Sequence, residues 1–403
     1  MWELRDWLAD QWRPKASHSL LVNEFWDLGA RFIGVQRKRP SAAPRSPYPR
    51  VLAGRGEIGF TGLMAVLPIS TERLLLRVMQ PGDATVLVAY RDDPDTARYQ
   101  DWPLPFTLAD AEQLLAGQAH LDDLDPEGWT QVAIEHEGEV VGDLGVGLDS
   151  SRRKATLGYT LAPAARHRGF AVEAAGAMVD ALFNRTEVRR IVATADDANP
   201  ASMQVIEPLG FRFEGIARKA APVRSEWVDG VQFALLRDDR AAWVSRVRTP
   251  PQRVELVELV HENARPYAEL VTHRYHEEFV SPNPTSFRHA LLPEEVDGAR
   301  VVPWFRGIAA DGVPVGFVML ALVTETFPDP YLWRFMIDRW HQRRGIGGRV
   351  MSMLIEQLGG EGHERLMTSW GVGPGSPELY YRRLGFKPTG NMIDDEVEAA
   401  LIL

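Results

Sequence analysis

The sequence predicts two α/β domains in tandem, and three observations carry that prediction. At 403 residues the chain is longer than one hydrophobic core usually organises. From Leu67 onward, strand-type and helix-type runs alternate. The order of runs in the first half then recurs in the second, with two short sequences repeated in the same register.

Residues 1–64 read as an N-terminal extension. Within it, 37–55 (RKRPSAAPRSPYPRVLAGR) is basic, proline-rich and without hydrophobic period, the composition of a flexible linker. A docking arm is the alternative to a poorly ordered terminus. The first domain is expected over 65–245. Residues 73–79, 129–136, 140–148 and 154–161 have the alternation of strands, and 171–183 carries Ala, Val and Leu at helical spacing. A strand at 190–194, a short helix at 201–208 and a strand at 231–236 follow. Pro250 and Pro251 mark a linker at 246–252. The second domain, 253–403, opens with a strand at 254–259 and a helix at 265–279. A hairpin at 304–309 and 314–322, a strand at 332–337, a helix at 347–358 and a strand at 364–370 complete the repeat.

Composition narrows the function. A hydrophobic fraction of 45% and a charged fraction of 25% are those of an ordinary globular protein. The formal net charge of −10 argues against a nucleic-acid binder, because phosphate backbones are held by an excess of Lys and Arg. With no cysteine there is no disulfide, thiolate metal site or cysteine nucleophile. A cytoplasmic location fits. No apolar run approaches the roughly 20 residues that span a bilayer, and charges interrupt residues 1–20, so neither a membrane segment nor a signal peptide is expected. His273 and His276 lack a third ligand candidate, and no metal site is expected.

The chemistry sits in the repeated sequences. Arg166-His167-Arg168-Gly169-Phe170-Ala171 is answered by Gln342-Arg343-Arg344-Gly345-Ile346-Gly347, and Leu209-Gly210-Phe211 by Leu384-Gly385-Phe386. The glycines are 41 positions apart in one copy and 40 in the other. Each first motif joins a strand-type run to a long amphipathic helix. Such a turn aims backbone N–H groups and the positive end of a helix dipole at one point, a cradle for a pyrophosphate. Small residues admit close approach, and Arg166, Arg168, Arg343 and Arg344 can add charge.

These motifs resemble the GNAT superfamily of N-acetyltransferases. Its signature is Gln or Arg, two variable residues, Gly, one variable residue, then Gly or Ala. The likeness covers both halves and implies a mixed sheet splayed between two central strands, with acetyl-coenzyme A as co-substrate in the splay. Thr71-Glu72-Arg73-Leu74, Leu157-Gly158-Tyr159 and Asn199-Pro200-Ala201-Ser202 make the first half similar to ribosomal-protein alanine N-acetyltransferases and their antibiotic-acetylating relatives. Residues 331–338 (YLWRFMID) and 380–386 (YYRRLGF) make the second similar to spermine/spermidine acetyltransferases.

The resemblance implies that backbone groups near Tyr159 to Leu161 and near Phe335 to Ile337, Met336 among them, meet the cofactor. It places Tyr381 as a general acid for the leaving thiolate, the alternative being an aromatic on a core helix. The position matching Tyr381 in the first half is Ile206, which cannot donate a proton. There Asn199 would lie beside the cofactor and Ser202 would assist the thiolate, or else Ser202 caps a helix. Residues 371–377 (GVGPGSP) lack the family's usual Asn; Ser376 substitutes for it or caps a helix. Asp143, Glu173, Glu278, Glu325 and Asp338 are the candidate bases, with water as the alternative.

Residues 253–403 contain 21 acidic against 15 basic residues, a formal −6, in agreement with a cationic acceptor. The expected partner is a small-molecule amine, polyamine- or aminoglycoside-like, or a protein N-terminal amine; a homo-oligomer is compatible with the sequence. The alternatives are an acyl-coenzyme A sensor with one or both halves silent, and a mycothiol-synthase-like acetyltransferase.

Overall fold

The computed structural model describes residues 65–223, 226–293, 295–296, 299–324 and 328–403. The expected extension 1–64 and the candidate base Glu325 lie outside them. The first half contains β1 (Ile69–Ser70), β2 (Leu75–Val78), α1 (Ala84–Arg91), α2 (Pro94–Ala97), α3 (Leu108–Ala116), β3 (Trp129–His136), β4 (Glu139–Leu148) and β5 (Lys154–Leu161). It continues with α4 (Phe170–Arg185), β6 (Arg190–Asp196), α5 (Pro200–Ile206), β7 (Arg212–Val223), β8 (Glu226–Leu236) and α6 (Arg237–Ser245). The strands form one sheet in the order β1-β2-β3-β4-β5-β6-β8-β7.

The second half contains β9 (Val254–Val257), α7 (Ala264–Ala268), α8 (Asn283–Leu291), a ribbon of β10 (Glu295–Val296) and β11 (Ala299–Arg300), β12 (Pro303–Ala310), β13 (Val313–Ala321) and β14 (Tyr331–Ile337). After them come α9 (Ile346–Gly360), β15 (Arg365–Trp370), α10 (Glu378–Leu384), β16 (Lys387–Ile393) and β17 (Glu396–Ile402). The second sheet runs β16-β17-β15-β14-β13-β12-β9. Both sheets are mixed: β5 with β6 and β14 with β15 are parallel, and their other pairs antiparallel.

The two long helices are held by the same stripe. Phe170, Ala174, Ala175, Met178 and Leu182 of α4 are buried at helical spacing, and Ile346, Val350, Met351, Leu354 and Leu358 of α9 each lie 176 positions later. These faces pack on their sheets and fix where each cradle stands.

One expected helix needs correction, and two elements come in addition to those expected. The helix expected at 265–279 ends with Ala268, gives way to a single 3₁₀ turn at Arg274–His276, and resumes only at Asn283. Its backbone donors are taken by distant carboxylates: Val271 N donates to Asp338, and Arg274 N and Tyr275 N donate to Glu207. The stretch 101–127, to which the sequence pattern assigns no element, contains α3, opened by a reciprocal cap between Thr107 and Asp110. The twelve-residue β7 escaped notice because its burial never alternates cleanly; it is an edge strand, where Pro222 is tolerated.

Candidate active site

The two cradles share one backbone. His167 and Arg343 stand at φ 59° and 63°, and Gly169 and Gly345 at φ 80° and 75°. Alternating left-handed residues turn successive N–H groups inward as an anion nest at the helix start. The first residue of each motif braces the turn from behind. Arg166 Nε donates to Leu161 O (3.3 Å), and Gln342 Nε2 donates to Ile337 O (3.0 Å). Arg166 also reaches Thr96.

What lies in front of the nests differs. Arg73 crosses the first: it pairs with Glu173 (2.6 Å), donates to Arg168 O (3.0 Å) and lies over Phe170. Arg168 also covers Phe170 and reaches His136 Nε2 (3.2 Å). A Cβ on Gly169 would meet Arg73 at 3.5 Å, whereas one on Gly345 would meet nothing within 4 Å.

Beyond each nest the central strands part. β5 and β6 pair over Lys154–Thr156 and then separate; β14 and β15 pair only at Tyr331 and Met367. In the first half the Tyr159 hydroxyl bridges the gap to Ser202 O and Ser202 Oγ, both at 2.7 Å. Asn199 caps α5 by accepting from Ser202 N (3.2 Å), so Ser202 is not the cap.

In the second half the split opens into a cavity of about 1830 Å³, large against the roughly 300–1,000 Å³ of ordinary ligand sites. Phe335, Met336, Ile337, Gln342, Arg343, Gly345, Ile346 and Gly347 line it, as do Tyr380 and Tyr381.

One level of this cavity concentrates the chemistry. The β13–β14 register steps from Leu320 opposite Leu332 to Met319 opposite Arg334, leaving Trp333 without a counterpart. Such a bulge releases a backbone N–H from the ladder. No shift occurs in the β4–β5 ladder. Because Tyr331 faces Met367 in a parallel pair, Trp333 stands level with Ser369. Thr368 and Ser369 point to opposite faces of β15. On one, the Tyr381 hydroxyl bonds to Thr368; on the other, Ser369 Oγ donates to Glu396 and meets the Tyr331 phenol.

Burial raises the Tyr381 phenol, against the opposing Thr368 bond, and pushes Tyr331 up to about 12. Tyr381 packs between Trp370 and Phe386, so its ring serves the core while its hydroxyl faces the split. The Tyr380 hydroxyl has no hydrogen-bond partner among the described residues and ends 3.0 Å from where a Gly347 Cβ would stand.

The remaining candidates are occupied elsewhere. Arg344 turns away from the cavity to Thr249 O (2.9 Å) and His341 Nδ1 (2.9 Å). Asp338 accepts from Val271 N and Trp340 N. Glu173, despite the opposing effect of burial, is held below the usual carboxylate range by Thr71 and Arg73. Asp143, 2% exposed, is bound by Tyr90 (2.6 Å) and Arg91 (3.0 Å). Glu278 is exposed and outside the cavity lining. Ser376, one residue before the cap of α10, lines the cavity and accepts from Glu378 N (3.2 Å). His273 is buried beside Glu207, and no metal-binding group of His, Asp or Glu occurs among the described residues.

Asp143 is thus structural. Replacing it with Ala strands the buried Arg91 and is expected to destabilise the first half by about 3–5 kcal/mol, measured as a lowered urea midpoint. Loss of less than 1 kcal/mol would instead mean that this pair behaves like a surface one.

Sequence reading missed six carboxylates of the cavity: Glu295, Asp329, Asp394, Asp395, Glu396 and Glu398. The run at 394–398 was visible as a cluster of charge. Glu295 and Asp329 had no such signal.

Two family models match the chain, the acetyltransferase (GNAT) domain over residues 73–212 and the acetyltransferase (GNAT) family over 268–386. The N-acetyltransferase p20 of Bacillus licheniformis is 31% identical over 175 residues, 42% of this chain and 97% of that protein. The chain belongs to the GNAT acetyltransferases. Its fold is accordingly two GNAT domains in tandem, and it is an acyltransferase whose acetyl donor is acetyl-coenzyme A.

Among solved structures, a RimL ribosomal L7/L12 α-N-protein acetyltransferase in complex with coenzyme A is similar at 20% identity, covering 44% of this chain and 99% of that one with a TM-score of 0.40. The spermidine N-acetyltransferase of Vibrio cholerae in complex with coenzyme A and spermine is similar at 17% identity, covering 42% and 99%, with a TM-score of 0.39. In this GNAT chain the second nest fits the co-substrate: its glycine is left-handed, a Cβ there would meet no protein atom within 4 Å, and its residues line the cavity. The first is crossed by Arg73. No helix among the described residues is long and apolar enough to cross a membrane.

Proposed function

We propose that the second domain, 253–403, is the catalytic one and acetylates a primary amine of a polyamine-like cation, while the first, 65–245, does not turn over. The observation that carries this reading is one continuous cavity with a nest, a bulge, a phenol and a carboxylate. Six residue steps of extended strand, about 20 Å, separate Tyr331 from Ile337 at the nest side. Arg343 is exposed on the cavity at the nest, and the backbone of 343–347 with the start of α9 would hold the pyrophosphate. The Tyr380 hydroxyl is free to donate to the same molecule.

Acetyl-coenzyme A supplies a thioester carbon open to attack by an amine. The N–H freed at Trp333 polarises the thioester carbonyl. Glu396, held by Ser369, faces the ammonium of the acceptor and takes a proton from it. The amine nitrogen bonds to the acetyl carbon, the carbon–sulfur bond breaks, Tyr381 gives its proton to the departing sulfur, and the proton shed by the new amide nitrogen passes through water to restore the phenol. Six carboxylates against four guanidiniums in the cavity wall favour a cation.

The test is thiol release from acetyl-coenzyme A by the full chain with polyamines, aminoglycosides and peptide N-termini. Polyamines are expected to give the highest kcat/KM, and Glu396→Gln to lower that value at least tenfold, roughly the effect of one charge-assisted contact. Equal rates with neutral amines would sink the cationic reading. Tight binding with no turnover on any amine would favour the sensor.

A further inference from the structure

The first domain retains a buried carboxylate that its own site does not use. Glu207 is 1% exposed and stands in the turn before Leu209-Gly210-Phe211. Its partners all come from the second domain: Arg274 N at 2.9 Å, Tyr275 N at 3.3 Å, His273 Nδ1 at 3.5 Å and Arg339 Nη1 at 3.9 Å. Arg339, 7% exposed, donates to Phe211 O (2.6 Å) and lies over Trp243, which packs edge-on against Trp340 at 5.1 Å. Trp243 is itself tied to Pro208 O (2.8 Å). A carboxylate and a guanidinium are withdrawn from water here, which is tolerated only where partners compensate.

The segments so held are two walls of the catalytic cavity. Thr272, His276 and Phe279 of the first segment line it, as do His341, Gln342 and Arg343 of the second. Asp338 joins the segments to each other by accepting from Val271 N and Trp340 N. The repeat does not account for this clamp. By the register of Gly210 and Gly385, the counterpart of Glu207 is Arg382, which pairs with Glu378 one turn away on the same helix.

We infer that the first domain serves the reaction as a fixed brace: through Glu207 and Arg339 it positions both the 272–280 wall and the 338–343 approach to the nest, setting the affinity of the second domain for acetyl-coenzyme A. The inference rests on the second domain being catalytic. Glu207 and Arg339 are positioning residues, since both act through backbone that borders the cavity.

The experiment uses the full chain and the variants Glu207→Ala, Glu207→Gln, Arg339→Lys and Gly345→Glu, with circular dichroism to confirm folding and initial rates against both substrates. Glu207→Ala is expected to raise KM for acetyl-coenzyme A about tenfold or more, as loss of positioning does, with KM for the amine little changed. Glu207→Gln, which keeps one acceptor, should fall between it and the parent chain. A loss of stability alone would leave both KM values in place, and folded Glu207→Ala with parental KM for acetyl-coenzyme A overturns the brace.

If Glu207→Ala does not fold, Arg339→Lys decides, because it keeps the charge beside Glu207 but loses the planar fork that reaches Phe211 O. A raised KM for acetyl-coenzyme A supports the brace, and a parental one overturns it. Gly345→Glu separates the two readings. If it binds acetyl-coenzyme A normally, the site itself is wrong and the brace falls with it. If it loses binding while the Glu207 and Arg339 variants do not, only the brace falls.

Discussion

Gly345→Glu is expected to abolish measurable acetyl-coenzyme A binding to the second domain, with affinity falling at least 100-fold, roughly 2.7 kcal/mol or more. Two effects combine. A non-glycine residue at φ 75° costs about 1–2 kcal/mol, and a carboxylate is placed where N–H groups and a helix dipole are aimed at an anion. The second effect dominates, because charge repulsion acts only when the ligand is present. The fold should survive, since a Cβ there meets no protein atom within 4 Å. Titration calorimetry with acetyl-coenzyme A checks this, with Gly169→Glu as the comparison. Turnover is expected to be lost in the first variant and kept in the second. The reverse pattern would move catalysis to the first domain.

Tyr381→Phe is expected to lower kcat by about 10²–10⁴, the usual worth of a positioned general acid, while KM for acetyl-coenzyme A stays near its parental value. The packing that holds the ring against Trp370 and Phe386 is retained, and the folded state loses mainly the hydrogen bond to Thr368, about 1 kcal/mol. Burial raises this phenol, so it remains protonated at neutral pH and above, as an acid must. Tyr380→Phe should behave in the opposite sense, raising KM with kcat little changed, because its hydroxyl ends beside Gly347 rather than at Thr368. Single-turnover kinetics distinguish the two. An unchanged kcat in Tyr381→Phe would reduce this residue to a core aromatic and leave water to protonate the thiolate.

Much of this site is legible in the sequence. Tandem organisation, both nests and the Leu-Gly-Phe turns depend on short stretches whose glycines stand at positive φ: Gly169, Gly345, Gly210 and Gly385. Likewise the α4 and α9 stripes are written as local periodicity. The roles of polar side chains were less legible. Arg344 belongs to a nest by sequence yet turns to Thr249, and Asp338, a candidate base, spends both oxygens on backbone donors. Neither outcome has a periodic signature, because each depends on which chain segment packs alongside.

By itself, the amino-acid sequence determined that this protein carries two left-handed glycine turns before two long helices, because a left-handed glycine and an apolar stripe are local properties that need no distant partner. Tertiary structure alone decided that the turns differ. Arg73 reaches across the first from 95 positions away, and Tyr159 closes its split on Ser202. Glu207 commits its charge to the other domain. Carboxylates and guanidiniums withdrawn from water must find partners wherever the fold supplies them, and spacing along the chain does not say where that is.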